Sequence, residues 1–427
     1  MADAALPSAP RPAPARAAPL TVDGQPLKRR LAQAQRRVRL RAFALVAPLL
    51  LFILLVFVAP IAALMAQGVH NPTFALLMPN LTPMLRDWDA RSEPTEAMFA
   101  ALHADLLRTR EDRTIGQVAT RVNRELSGTR SLFTSTARRV DRMEPPYRDA
   151  LIAEDAKWGE MATWEAMKVA SKSLTGAFYA AALDRTVTAQ GEVVQAPPEQ
   201  RIHVSLFLRT LEISLAVTIL CLILGYPVAW LLANLPLRTA NLLLILVLLP
   251  FWTSLLVRTT AWIALLQSQG VINDLMVWSG VTSDANRFSM IYNKTGTLVA
   301  MTHILLPFMI LPLYSVMKTI PPTYLRAAKS LGASNWTAFW RVYFPQTVPG
   351  IGAGALLVFI LAIGYYITPA LVGGQSGTMI SNFIAFHMER SLNWSLAAAL
   401  GGILLAGVLI LYAVYQRLIG IDNVKLG

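Results

Sequence analysis

Six long apolar runs alternate with polar segments along the chain. They lie at about 42–66, 204–233, 239–267, 295–318, 347–370 and 394–419. Each is long enough to cross about 30 Å of hydrocarbon as a helix that rises about 1.5 Å per residue. The pattern predicts an all-α, polytopic membrane protein with one transmembrane helix at 42–66 and five more in a core at 204–420.

Several prolines lie inside the predicted helices, among them Pro250 in the third and Pro307 and Pro312 in the fourth. Proline lacks a backbone donor and its ring clashes with the preceding turn, so each should kink its helix. Neighbouring helices in a bundle can satisfy the carbonyls that a kink frees. We therefore count each apolar run as one crossing.

The segment 67–203 is polar and long, yet it is not of low complexity. Apolar residues recur in it every three or four positions, which predicts amphipathic helices. The repeats are Met98, Leu102 and Leu106, then Ile115, Val118, Val122 and Leu126. Gly128 should end the second of these helices, and Leu151 and Trp158 indicate another over about 147–170. We expect a cap of about four helices, either a platform for an extracytoplasmic partner or a stabilising addition.

Composition agrees with a membrane protein. Hydrophobic residues make up 55% and charged residues 15% of the 427 residues, which is more apolar side chain than a soluble core needs. The net charge of +13 first suggests nucleic acid as a partner. However, the insertion 67–203 has 17 basic and 18 acidic residues, and the remainder has 21 and 7. Basic loops kept in the cytoplasm explain this distribution, so no nucleic acid is expected.

The N-terminal segment 1–41 is predicted to be a disordered, basic cytoplasmic tail. Residues 1–27 are rich in Pro and Ala, which is typical of disorder. Residues 28–41 carry seven Lys and Arg, and such a stretch beside an apolar run binds anionic lipid. A cleaved signal peptide is the rival interpretation, but the run at 42–66 begins too late and is too long for one.

Positive charge predicts an orientation that can be checked twice. With the basic tail inside, six crossings return the C-terminal tail 421–427 to the cytoplasm, where Arg417 and Lys425 lie. The basic connection 319–346 also falls inside, and the insertion falls outside. Both termini are therefore expected in the cytoplasm.

Little in the chain indicates catalysis. There is no G-x-x-x-x-G-K-[ST] phosphate loop and no H-E-x-x-H motif, and the five histidines are dispersed. The single cysteine, Cys221, lies in an apolar run and is interpreted as a small buried hydrophobe. We expect no enzymatic activity and neither a cofactor nor a metal bound by this chain.

The most distinctive segment is the connection 321–345, between the fourth and fifth apolar runs. It has the pattern of a short helix, a break at Gly332, a second helix capped by Ser334 and a stop at Pro345. Ala327 and Ala328 are small, so another protein can approach the backbone closely there. The segment is predicted to contact a partner.

This connection resembles the EAA loop of binding-protein-dependent ABC importer permeases. The residues at that family's spacing are Ala327, Ala328, Gly332, Val342 and Pro345. Arg326 stands where the family usually has glutamate, which removes the usual charge contact with the ATPase. In the family this loop is a coupling helix that docks into the ATP-binding subunit. The resemblance assigns that role to Arg326, Ala327, Ala328, Gly332, Ala333 and Ser334.

The resemblance also implies the partners and the compartment. They are two copies of an ATP-binding subunit that uses ATP and Mg²⁺, a second homologous permease and a periplasmic solute-binding protein. The expected location is the lipid bilayer of a bacterial inner membrane. The permease pair is expected to be a heterodimer, with a pair of identical copies as the alternative.

Two further segments resemble spermidine/putrescine-type permeases, Phe251–Trp262 in the third run and Gly364–Gly374 at the end of the fifth. The similarity covers roughly 40–66 and 204–420 and leaves out the insertion. Tyr365 stands where that family has an aspartate, so one carboxylate for a polycation is missing. The resemblance implies polyamines as the solute, with opines, amino-acid derivatives or other small organic solutes as alternatives.

Ionisable and aromatic residues within spans are candidates for the translocation path, because aromatic rings can bind ammonium groups. The candidates are Trp252, Arg258, Trp262, Tyr365, Tyr366 and Glu212. Packing and interfacial roles are the alternatives for each. Glu212 is expected to pair with Arg209, three residues away, and His303 to pack or hydrogen-bond within the bundle. Glu389 should lie in the outer loop before the sixth run.

Two other classes of protein compete with an importer permease. A secondary transporter commonly needs intramembrane acids and often shows inverted repeats. The chain has few such acids and no convincing repeat between its halves, and that class leaves the connection 321–345 unexplained. A non-transporting scaffold would predict that changes in this connection are harmless. The importer permease accounts for both the spans and the loop.

Overall fold

The computed structural model describes residues 27–419. Within the described range, residues 27–63 belong to one unit and residues 64–419 to a second. Among the described residues, five helices are long and apolar enough to span a bilayer, and a bent helix pair makes six if it counts as one span. The predicted all-α, polytopic fold is confirmed, whereas the predictions for 1–26 and 421–427 lie outside the described residues.

The first unit lies within one helical stretch. Helix α1 (Leu27–Ile53) continues through a π-helical turn (Leu54–Val58) into α2 (Ala59–Gln67). The prediction of a disordered tail is therefore wrong for residues 27–41. Apart from Val38, this stretch contains only Leu, Ala, Gln, Lys and Arg, with no Gly or Pro, and these residues are strong helix formers.

The insertion folds as a cap of short helices around its own apolar core. Two 3-10 turns (Val140–Arg142 and Ala156–Gly159) separate some of them. The helices are α3 (Thr73–Leu77), α4 (Leu81–Asp87), α5 (Glu96–Glu111), α6 (Ile115–Asn123), α7 (Thr129–Ala137), α8 (Tyr147–Glu154), α9 (Met161–Ser171) and α10 (Ala177–Ala182). The cap thus has more and shorter helices than the four expected.

The predicted apolar faces of the cap are confirmed, but the helix ends differ. The fully or almost fully buried members are Met98, Leu102, Leu106, Val118 and Val122. Helix α6 ends at Asn123, and Gly128, with φ of +90°, instead precedes α7. The predicted helix at 147–170 is three pieces. Asp155 is extended and accepts a hydrogen bond from Lys157 N, which starts a 3-10 turn.

A short antiparallel hairpin follows α10 and was not predicted. Strand β1 (Arg185–Val187) pairs with β2 (Val193–Gln195), and Gly191 in the turn has φ of +92°. A 3-10 turn (Pro198–Gln200) then precedes the next helix. Each strand has only three residues, too few to show an alternating pattern.

The transmembrane core contains the remaining helices. They are α11 (His203–Asn234), α12 (Leu237–Leu248), α13 (Leu255–Leu266), α14 (Val271–Trp278), α15 (Lys294–Thr319), α16 (Pro322–Ser330), α17 (Asn335–Ala338), α18 (Phe344–Ile363), α19 (Ile367–Val372), α20 (Gly374–Gly377), α21 (Ile380–Glu389) and α22 (Trp394–Ile419). Helices α11, α15 and α18 pack on one another. A Cβ at Gly354 of α18 would lie 2.7 Å from Met309 Sδ of α15, so this small residue permits close helix packing.

The predicted third span, 239–267, is not a single kinked helix. Its two arms, Leu237–Trp252 and Leu255–Trp278, are bent by 96°. Pro250 removes a backbone donor near the end of the first arm. Ser254 Oγ then accepts a backbone hydrogen bond and starts α13 as a new helix. The kink predicted at Pro250 is therefore a 96° break, and the two arms make the sixth span if they count as one.

The predicted stop at Pro345 is also wrong. Helix α17, a π-helical turn (Phe339–Tyr343) and α18 form one helical stretch, Asn335–Ile363. Pro345 lies in the first turn of α18, directly after the π-helical turn. The wider π-helical turn accommodates the proline without ending the helix. Helix α15 likewise runs through Pro307 and Pro312.

Candidate functional site

The predicted coupling residues lie on α16, α17 and the turn between them. Ala333 N donates to Ala328 O at 3.0 Å, and Gly332 N donates to Lys329 O at 3.0 Å. Gly332 has φ of +90°, a conformation that glycine adopts without strain. These two bonds form the Schellman motif. The predicted glycine break is confirmed as the turn that ends α16.

Ser334 starts α17 directly after this turn. Its Oγ accepts a hydrogen bond from Thr337 N at 3.2 Å and lies 3.0 Å from Thr337 Oγ1. The predicted N-cap is confirmed. Residues 332–334 therefore fix the angle between α16 and α17 through local hydrogen bonds.

Helices α16 and α17 are anchored on one side and exposed on the other. Leu325 and Phe339 pack against the apolar core of the spans. Leu331 and Trp336, in contrast, are 89% and 72% exposed. Large exposed apolar side chains close together in the chain are typical of protein contact surfaces. This connection therefore has the chemistry of a docking surface.

The six predicted coupling residues differ in their exposure. The exposed ones are Arg326, Ala327, Gly332 and Ser334, and the half-buried ones are Ala328 and Ala333. A Cβ at Gly332 would meet nothing within 4 Å. The backbone is open to close approach at this turn, and its docking role stays a prediction.

Three predicted path residues come together with His303. Trp262 Nε1 donates to His303 Nδ1 at 3.1 Å, and the two rings meet edge to face at 5.4 Å. Arg258, one turn earlier in α13, acts electrostatically on both His303 and Tyr365. The predicted hydrogen-bonding role of His303 is confirmed. Because its Nδ1 accepts, the neutral ring carries its proton on Nε2.

Arg258 lacks hydrogen-bond acceptors for part of its guanidinium group. Within the part of the chain that the structure describes, its Nε and Nη1 are buried and have no partner. An arginine stays protonated in proteins, and its unpaired buried donors are unfavourable. A carboxylate or carbonyl oxygen of a solute or neighbouring subunit would satisfy them.

Tyr365 and Tyr366 lie in the break between α18 and α19. Ser381 Oγ donates to Tyr365 O at 2.6 Å, and Asn382 Nδ2 donates to Tyr366 O at 2.7 Å. These two bonds from α21 hold the backbone of the break. The side chain of Tyr365 packs against the core, whereas that of Tyr366 is exposed.

The predicted pair between Arg209 and Glu212 is wrong. Glu212 forms an ion pair with Lys294 at the start of α15, and Arg209 Nη1 donates to Gln375 O at 2.7 Å. Lys294 N also donates to Ser376 Oγ at 3.1 Å. Both α11 side chains therefore connect elements that are distant in sequence, and a place for Glu212 on the translocation path stays a prediction.

The other two singled-out residues occupy different positions. Trp252 lies at the bend between α12 and α13 and is 75% exposed. Glu389 was predicted to lie in a loop, but it is the last residue of helix α21. In residues 27–419 no three His, Cys, Asp or Glu side chains are grouped as metal ligands.

Comparisons with known proteins identify the family. The family model described as "Binding-protein-dependent transport system inner membrane component" matches residues 214–419. The spermidine/putrescine transport system permease protein PotB of Escherichia coli is 35% identical over 224 residues, which covers 52% of this chain and 81% of that protein. The chain belongs to this family. It is the inner-membrane permease component of a binding-protein-dependent transport system.

Other relatives are similarly close in sequence. PotB of Salmonella typhimurium is 37% identical and covers 46% of this chain and 68% of that protein, and PotB of Haemophilus influenzae is 36% identical and covers 49% and 72%. A solved bacterial alginate ABC transporter is 17% identical, with a TM-score of 0.42 and coverage of 53% of this chain and 81% of that one. The matched region 214–419 includes α16, α17 and Arg258, whereas the cap lies outside it.

Proposed function

We propose that this permease carries polyamines, spermidine or putrescine, or a related small organic solute into the cell. The similarity to PotB carries the proposal, at 35% identity over 81% of the Escherichia coli protein. The rings of Trp262, Tyr365 and Tyr366 support it, because aromatic faces attract ammonium groups. Importers of opines or amino-acid derivatives are the chemical alternative.

The energy for transport comes from separate subunits in this proposal. The chain has no phosphate-binding loop, so two copies of an ATP-binding subunit would use ATP and Mg²⁺. Helices α16 and α17 dock on one of them through the exposed side chains of Leu331 and Trp336. ATP closes the two subunits, the coupling helices convert closure into outward opening, and hydrolysis restores the inward-facing state.

Two further partners complete the proposed importer. A periplasmic solute-binding protein delivers the solute, and a second homologous permease, as in a heterodimer, forms the other half of the path. Both termini and α16–α17 lie in the cytoplasm, and the cap lies outside. The excess of basic residues outside the insertion supports this orientation.

A carboxylate-bearing solute is the second candidate, and Arg258 favours it. The buried, unpartnered Nε and Nη1 of this residue would repel a polycation but would bind a carboxylate. Tyr365 also favours a carboxylate-bearing solute, because it stands where the polyamine-type permeases have an aspartate that would bind a cation. Amino-acid derivatives and opines carry such a carboxylate.

Reconstituted transport distinguishes the two solute classes. We would purify the permease with its co-purifying subunits and binding protein and measure ATP-dependent uptake of labelled putrescine, spermidine and an opine in proteoliposomes. For a polyamine, Arg258→Gln should leave uptake equal or faster. For a carboxylate solute, it should slow uptake at least about 10-fold, because a charge-assisted hydrogen bond is lost.

Arg258→Lys is the matched control, since it keeps the charge without the forked donors. Saturable uptake of putrescine or spermidine that the opine does not inhibit is the expected result. Purification without any ATP-binding subunit, after crosslinking to retain a labile complex, would contradict the ATP-driven importer.

A further inference from the structure

Two adjoining clefts lie where α6 of the cap meets the turn before α22. Their volumes are about 270 Å³ and about 280 Å³. Thr73, Arg124 and Leu392 line both, and Arg121 and Gln117 line the first. We call these two clefts together the seam cleft. The seam cleft lies between the cap and the transmembrane core. The family match at 214–419 includes its core side, with Leu392, but not its cap side.

Arg121 of α6 is a charged residue inside the cap, with only 2% of its surface exposed. Its Nη1 donates to Glu125 Oε1 at 2.5 Å, and its guanidinium lies 5.2 Å from the centre of the Phe178 ring. Among the described residues, its Nε and Nη2 have no hydrogen-bond partner. Buried donors of this kind are unfavourable unless an acceptor reaches them.

Arg124, one turn further along α6, adds a second guanidinium. Its Nη2 donates to Leu392 O at 3.0 Å. Burial, followed by repulsion from Arg121, lowers the pKa of Arg124 to about 10, so the group is still protonated at neutral pH. Glu125 is the carboxylate that acts on both arginines.

His387 of α21 also acts on this cluster, and His70 lines the second of the two clefts. Burial, and then His203 and Arg124, lower the pKa of His387 to about 4, so its ring is neutral at pH 7. Two guanidinium groups and one carboxylate therefore leave one excess positive charge beside the seam cleft. A charge that is withdrawn from water in this way favours an anionic partner.

We propose that the seam cleft binds a small oxyanion, a carboxylate or a phosphate group. The two oxygens of such a group match the forked donors of an arginine, and one negative charge offsets the excess. Gly116 also lines the cleft, and a Cβ there would meet nothing within 4 Å, so space for the ligand is available. The bound anion would link α6 of the cap to the turn before α22.

Calorimetric titration tests the site on the full chain. We would titrate inorganic phosphate and, separately, acetate into the permease in phosphatidylcholine nanodiscs, with ionic strength held constant by chloride. We expect saturable binding of at least one probe, weakened at least about 10-fold in Arg124→Gln. Arg138→Gln, the same change at an exposed arginine of the cap outside the cleft, should bind as the wild type does.

The test uses Arg124 because Arg121→Gln risks unfolding the cap, and circular dichroism would confirm that Arg124→Gln is folded. Glycerol phosphate, a soluble analogue of a lipid headgroup, separates two sources of the oxyanion. Tighter binding of glycerol phosphate than of inorganic phosphate would support a lipid headgroup as the occupant, and tighter binding of inorganic phosphate or acetate would support a free anion. No saturable binding of either probe in phosphatidylcholine, or equal affinity of wild type and Arg124→Gln, would overturn the proposal.

Discussion

Gly332 is the residue on which the angle between α16 and α17 depends. Its φ of +90° costs a non-glycine residue about 1–2 kcal/mol, and a β-branched residue more. We expect Gly332→Val to insert into the membrane normally, because a Cβ at this exposed turn would meet nothing within 4 Å. Uptake should fall at least about 10-fold, since the Schellman turn is lost. The loss is measured by comparing solute uptake and ATP hydrolysis of Gly332→Val and the wild type in proteoliposomes.

Gly191 provides a matched control for that substitution. It has φ of +92° and equally open surroundings, but it lies in the turn of the β-hairpin. Gly191→Val carries similar backbone strain and should transport at the normal rate. Normal transport by Gly332→Val would contradict the coupling role of the 321–345 connection.

The buried ring of His387 should make the stability of the fold depend on pH. Its folded pKa of about 4 lies below the ordinary value of 6.5, chiefly because of burial. The neutral ring therefore stabilises the fold fully above pH 6.5, and this contribution is lost as the pH falls towards 4. We expect the Tm to drop between pH 7 and 5, and to drop less in His387→Gln. Parallel Tm profiles of the two proteins would contradict the prediction.

At the scale of elements, one carboxylate connects two helices of the cap. Asp105 of α5 accepts hydrogen bonds from Leu81 N at 2.9 Å and Asn80 N at 3.1 Å, at the start of α4. Burial nevertheless raises the pKa of Asp105. Asp105→Ala would leave these donors unpaired and should destabilise the cap by about 1–3 kcal/mol. Limited proteolysis of the cap measures the effect.

The control for the cap is Asp141→Ala. Asp141 pairs with Arg110 at 2.9 Å, and both side chains are well exposed. Such surface pairs contribute little to stability, so its proteolysis should match the wild type. If Asp105→Ala resisted proteolysis as well as the wild type does, the prediction would be contradicted, because water would then be replacing the lost acceptor.

The sequence predicted the spans well because hydropathy reports directly which segments can face lipid. It predicted a kink at Pro250 but not a break of 96° between α12 and α13, since apolarity carries no information on helix direction. Pro250 and Ser254 were both visible, but a proline alone also fits the unbroken α15. The partner of Glu212 was missed for a different reason. Lys294 lies 82 residues away, and only the tertiary fold brings it closer than Arg209.

At the scale of the whole molecule, the cap is an excisable unit of the chain. Asn71 N donates to Ser173 O at 2.7 Å, and Thr175 N donates to Val69 O at 2.8 Å. The ends of the segment 72–172 therefore lie side by side. The apolar core of residues 74–170 is also separate from that of the spans, whereas α10, which packs on α22, lies outside this segment and would be kept. These two facts together indicate that the spans can fold without the cap.

We expect a chain in which a short Gly-Ser linker replaces residues 72–172 to insert and to co-purify with the ATP-binding subunit. The reason is that the proposed docking helices, α16 and α17, belong to a different part of the fold. Its affinity for the solute-binding protein should fall, because the cap supplies much of the polar surface proposed to face the periplasm. Co-purification and binding-protein titration measure the two effects. The control is the intact chain with the same linker inserted at Gly191. If excision left both the affinity for the binding protein and the uptake of solute unaltered, the cap would be a stabilising addition.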